Sequence, residues 1–171
     1  DTLSLHDALP ILVASNSMSG LRILSDASAV ISQGEVLQLA HQGNIAITEA
    51  DYMAILAAKT AVLFSTAAEL GAVISGEAKW EGCLRAYGHA VGLAFQIVDD
   101  ALDYTADEAK LGKTIGDDFR EGKITLPVIL CFRRGDEGQR DFWKRTLETG
   151  EIRDGDLEQA VKLMRQHKAI E

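Results

Sequence analysis

The sequence predicts an all-α protein built as an antiparallel helical bundle, and three observations carry that reading. Apolar residues recur at the helical period over long segments of the 171-residue chain. No segment shows convincing strand alternation. At least three of about six predicted helices are long enough to form a bundle core. Apolar residues make up 47% of the chain, which is enough for one domain with a sizeable core.

The first helix is predicted over about 20–40, GLRILSDASAVISQGEVLQLA. A second begins at Thr48, where TEAD offers a capping box: the Thr48 side chain for the Asp51 amide, and Asp51 reaching back. Its apolar run of Tyr52, Ile55, Leu56, Val62, Leu63, Phe64 and Leu70 continues to Gly71 or Gly76. A third covers about 77–104, and Gly88 and Gly92 let a neighbouring helix approach it closely. A polar, charged segment follows from Thr105 to Lys123, and then Pro127 sits in the first turn of TLPVILCF. Two more polar helices, about 138–148 and 155–168, read as peripheral. The first ten residues, DTLSLHDALP, are set apart as a foreign or disordered tail, and 11–171 as one helical domain.

Composition removes several functions. No stretch of 18 residues is free of charge, which argues against a membrane span. The first ten residues do not read as a signal peptide. Seventeen basic against 26 acidic residues give a net charge of −9, the wrong sign for a nucleic-acid binder. Cys83 and Cys131 read as buried thiols of a cytoplasmic protein. The scattered histidines lack zinc-ligand spacing. GKTIG at 112–116 lacks the upstream glycine of a phosphate-binding loop.

One segment resists a purely structural account. In FQIVDDALD, residues 95–103, Gln96, Asp99, Asp100 and Asp103 fall at i, i+3, i+4 and i+7 on one face of an apolar helix. Like charges at that spacing repel, so something positive should share the face. Paired carboxylates for glycoside hydrolysis would stand across a cleft rather than on one helix. Hard oxygen donors stacked in this way suit Mg²⁺, which keeps waters for exchange with phosphate oxygens. Lys59 and Thr60 lie in the apolar run LAAKTAVLF, where a buried lysine should meet an anion.

Together these motifs resemble the trans-isoprenyl diphosphate synthases, the polyprenyl synthetases, in their carboxy-terminal portion. FQIVDDALD is similar to that family's second aspartate-rich motif, LGKTIGDDFREGKITLP to the run that follows it, and KTAVLF to its lysine–threonine helix. ISQGEVLQL is similar to the helix after the first motif, and the wording is nearest the long-chain, octaprenyl branch. The resemblance implies an isoprenoid synthase bundle, here incomplete, that condenses isopentenyl diphosphate with an allylic diphosphate. It implies Asp99 as the main magnesium ligand, with Asp100 and Asp103 as partner carboxylates. Lys59, Lys113 and Lys123 would hold the diphosphate, and Thr60 and Gln96 would lie near the reacting end. The family's G-x-D aspartate aligns with Asp118. A homodimer is implied as well. The first aspartate-rich motif and the isopentenyl-binding residues are absent, and one more helix is expected after MRQHKAIE. The chain alone is therefore expected to be inactive, with a non-catalytic helical interaction subunit as the alternative.

Overall fold

The computed structural model describes residues 13, 16–105 and 115–170, and every regular element among them is helical. Helix α1 spans Met18–Ala40, and the Gly20 amide donates to Ser17 Oγ at 3.1 Å at its start. Helix α2, Glu49–Leu56, opens on the expected box: Asp51 N donates to Thr48 Oγ1 at 3.1 Å, and Thr48 N to Asp51 Oδ2 at 3.3 Å. One π-helical turn, Ala57–Ala61, joins α2 to α3, Val62–Ser75. Gly76 closes α3 with φ at 75°, a conformation that glycine adopts without steric cost. Helix α4 is Glu81–Leu102, after a short 3₁₀ turn at Ala78–Trp80. Then come α5, Asp117–Arg120, α6, Leu126–Arg134, α7, Glu137–Trp143, a π turn at Lys144–Glu148, and α8, Asp156–Gln166. Pro127 occupies the first turn of α6, as predicted.

The chain forms two compact units. The first comprises Asp1–Val36 and Ile55–Ala94. Its helices touch backbone to backbone: a Cβ placed on Gly92 would lie 2.6 Å from Ala61 Cα, so only glycine permits the contact. Across the same contact, Arg85 donates to both oxygens of Glu69, Nε to Oε2 at 2.9 Å and Nη2 to Oε1 at 2.5 Å. Ser65 Oγ donates to the Arg85 carbonyl at 3.0 Å.

The second unit comprises Leu37–Ala54 and Phe95–Glu171. Its core gathers Tyr104, Phe119, Val128, Cys131, Trp143, Leu147, Leu163 and Met164. Phe119 and Phe142 both meet Trp143 edge-on, with centroids 6.4 and 5.1 Å away. Here the structure corrects the sequence reading. The helices at 138–148 and 155–168 are not peripheral, because Trp143, Leu147, Ala160, Leu163 and Met164 supply much of this core. Asp136 and Gln139 form a capping box that starts α7, and Arg145 pairs through both terminal nitrogens with Asp156 at 2.9 and 2.8 Å.

Other expectations change too. Helix α4 is less buried than its apolar run suggested: Tyr87, Val91, Phe95, Val98 and Leu102 form an exposed stripe at helical spacing. Cys131 is buried, and burial pushes its thiol up to about 12, whereas Cys83 is exposed. The continuous helix Glu49–Ser75 is long and apolar enough to cross a membrane by length and composition. Those properties also suit a bundle helix, and this one carries the ion-paired Lys59 and Glu69.

Candidate functional site

The carboxylates of the Asp-rich segment close the second unit's end of α4. Asp100 is buried, and both its oxygens receive protein donors: Tyr52 Oη to Oδ2 at 2.6 Å and Gln96 Nε2 to Oδ1 at 2.8 Å. Gln96 and Asp100 are one helical turn apart, which is why the amide reaches back along the helix. Burial pushes the Asp100 carboxyl up to about 6 against the pull of these two hydrogen bonds, and the charges of Asp118 and Asp99 add to the rise. Burial also raises Tyr52, as does the Asp100 charge, so its hydroxyl stays a donor.

One turn further on, Asp103 is met from the loop after α4. The Asp118 amide donates to Asp103 Oδ2 at 3.1 Å, and the Gly116 amide to the Asp103 carbonyl at 2.8 Å. Gly116 has φ at 78°, the left-handed turn that brings α5 back onto the helix. Burial raises Asp103, while the Asp118 amide works the other way. Lys123 Nζ donates to Asp118 Oδ1 at 2.9 Å and lies 2.8 Å from Glu121 Oε2. Partial burial opposes the ammonium, but these two carboxylates outweigh it and raise its pKa. The Tyr104 hydroxyl is raised by burial and then by the Asp118 and Asp103 charges, against the pull of Thr125.

The remaining predicted residues fall elsewhere. Lys59 and Thr60 belong to the first unit, on the π turn, both half-buried. Lys59 was expected to be a buried charge needing an anion. Its ammonium lies 3.2 Å from Glu35 Oε1 of α1, with the side chain 38% exposed. Single π turns inside α-helices are frequent at functional sites, and no residue type marks this one. Lys113 lies outside the described residues. The groups hydrogen-bonded to the Asp100 and Asp103 carboxylates are neutral, and Lys123 reaches Asp118. Sequence reasoning missed Tyr52, placing it in an apolar run. A tyrosine in such a run signals a polar partner for its hydroxyl when buried.

Chemically the cluster offers hard oxygen donors. Among the described residues, no group of three or more Asp, Glu, His or Cys side chains is gathered tightly enough to hold a metal by itself. Such a donor set fits a magnesium ion that takes only part of its shell from protein and the rest from water and phosphate.

The family model for polyprenyl synthetase matches residues 3–164. The chain is 37% identical over 166 residues to octaprenyl diphosphate synthase of Haemophilus influenzae, covering 96% of this chain and 50% of that protein. It is 39% identical over 164 residues to the all-trans-nonaprenyl-diphosphate synthase (geranyl-diphosphate specific) of Rhodobacter capsulatus, again 96% and 50%. The fold matches polyprenyl synthase from Caulobacter crescentus, solved with calcium and isoprenyl diphosphate, with a TM-score of 0.90 and 44% identity over 95% of this chain and 50% of that one. It matches a decaprenyl diphosphate synthase from Rhodobacter capsulatus with a TM-score of 0.85 and 47% identity, at the same coverage. The chain thus spans about half the length of the curated relatives it matches. Its all-α architecture is that of the isoprenoid synthases, and the chain belongs to the polyprenyl synthetase family.

Proposed function

We propose that this chain is the carboxy-terminal portion of a long-chain trans-polyprenyl diphosphate synthase, which condenses isopentenyl diphosphate with an allylic diphosphate in the cytoplasm. The observation that carries the reading is the carboxylate cluster at the end of α4, where Asp100 and Asp103 are held by neutral donors and keep their charge for a cation. In the reaction, the allylic C–O bond breaks and the diphosphate leaves with the electron pair. The isopentenyl double bond attacks the allylic cation, and a proton is then lost.

Asp99 would be the main magnesium ligand, with Asp100 and Asp103 as its partner carboxylates, and the ion when bound neutralises charge developing on the leaving diphosphate. Lys59, Lys113 and Lys123 bind that diphosphate, and Thr60 and Gln96 lie near the reacting end. Apolar helix walls exclude water from the cation. The octaprenyl and nonaprenyl relatives support the long-chain product, and the complete enzyme works as a homodimer. The first aspartate-rich motif is not in this sequence. Its groups stabilise the departing diphosphate, where one lost donor costs roughly 3 kcal/mol.

A second reading, a helical interaction subunit without activity, draws on the exposed stripe of α4. Calorimetric titration of the chain with Mg²⁺ and inorganic diphosphate separates the two. The proposed enzyme portion binds metal only when diphosphate is present, and Asp99→Ala abolishes that binding. Equal binding by wild type and Asp99→Ala would overturn the proposal. An ordinary condensation rate from the isolated chain would overturn its description as half a site.

A further inference from the structure

We propose that Tyr52 is a positioning residue for the carboxylate cluster: its buried hydroxyl pins Asp100 with a neutral donor, orienting the acidic turn of α4 without cancelling its charge. The inference rests on the reading of that turn as a metal–diphosphate site. Tyr52 is 4% exposed, and its hydroxyl reaches Asp100 Oδ2 at 2.6 Å across 48 residues of sequence. That is the short distance of a hydrogen bond to a charged acceptor.

The donor is itself fixed. Tyr52 lies in the first turn of α2, with its amide bonded to the Thr48 carbonyl at 3.0 Å and the Thr48–Asp51 capping box holding that turn. Glu49, beside it, pairs with Arg133 of α6. Helix start, ring and hydroxyl are therefore held independently of the acidic residues they meet.

The choice of donor matters. Elsewhere in the chain a buried carboxylate, Asp156, is met by a cation, Arg145. Asp100 instead receives a phenol and an amide, and Asp103 a backbone N–H. Each bond fixes a carboxylate in place while leaving its full negative charge to act on its surroundings. With Asp100 pinned inward, Asp99 is turned by about 100° around the helix axis onto the neighbouring face, and Asp103 follows one turn later. Tyr52 thereby sets the rotation at which those two carboxylates are presented.

The test is calorimetry on the whole chain, for wild type, Tyr52→Phe, Asp100→Asn and the double variant, using Mg²⁺ with inorganic diphosphate. All are measured at a temperature where circular dichroism shows each to be folded. Tyr52→Phe keeps the buried ring and removes only the hydroxyl. It should weaken magnesium-dependent diphosphate binding roughly tenfold, as loss of a partner behind a metal ligand typically does. It should leave any binding of diphosphate without metal unchanged. Because Tyr52 acts through Asp100, the double variant should bind no more weakly than Asp100→Asn alone. Wild-type affinity in Tyr52→Phe, or a Tyr52 effect that adds fully to that of Asp100→Asn, would overturn the positioning role while leaving the metal site standing. If the wild-type chain itself binds no Mg²⁺–diphosphate, the site reading fails and the inference falls with it.

Discussion

Asp100→Asn should make the metal-free chain more stable at neutral pH and flatten its stability between pH 4 and 6. Asp100 is buried with its carboxyl pushed up from 3.8 to about 6, chiefly by desolvation. An acid whose folded pKa is raised holds its proton more tightly in the folded state. Its burial therefore costs nothing below about pH 4, and stability falls as pH rises through 6, where the charge must be carried inside. A shift of roughly two units corresponds to about 3 kcal/mol lost across that window. Asparagine keeps the geometry: its oxygen still accepts from Tyr52, and Gln96 can turn its own amide to accept from the new NH₂. Urea unfolding of both chains in chelator, at half-unit steps from pH 4 to 7, gives the comparison. Other carboxylates titrate in both chains, so the difference between the two curves isolates Asp100. Parallel curves would refute the claim that Asp100 carries an unneutralised buried charge.

Gly92→Ala should lower the melting temperature, although alanine favours helix by about 1 kcal/mol, because its methyl meets the Ala61 backbone and overpacking costs roughly 1–3 kcal/mol. An unchanged or higher melt would show that the contact can relax. Trp143→Ala should cost about 3–5 kcal/mol in denaturant unfolding, since the indole is fully buried between Phe119 and Phe142. A loss under 1 kcal/mol would return that region to the periphery. Lys59→Ala, in an enzyme carrying both halves of the family domain, should cut turnover tenfold or more. Its stability cost should stay below about 1 kcal/mol, because the Glu35 pair is partly exposed. Full turnover in that variant would remove Lys59 from the site.

Where the fold was legible, a local signal sufficed. The Thr48–Asp51 box, Pro127 and Gly76 each act within one turn, and each marks a helix end as predicted. Gly92 was legible as a close approach, since a glycine inside a helix needs a packing reason. The two late helices were misread because average polarity conceals a narrow apolar face. In α8, Ala160, Leu163 and Met164 sit at i, i+3 and i+4, and that stripe is buried while the rest of the helix is polar. The π turn at Ala57–Ala61 left no mark in residue type. Glu35 is 24 positions away from Lys59, beyond any local pattern.

The site was half legible for a related reason. Periodicity places Gln96, Asp99, Asp100 and Asp103 on one face, but an arc of side chains does not say which part of it meets a neighbour. The structure divides them: Asp100 turns inward to Tyr52, while Asp99 is only half-buried. Repulsion along that face predicts a positive partner, and at Asp100 and Asp103 the hydrogen-bonded groups are neutral. The chain holds Asp100 and Asp103 with a phenol, an amide side chain and a backbone N–H, and leaves Lys123 to Asp118. Neutral donors relieve part of the desolvation cost and none of the charge. On the proposed reading, a divalent cation carrying diphosphate is the ligand that would meet the charge Asp100 and Asp103 retain.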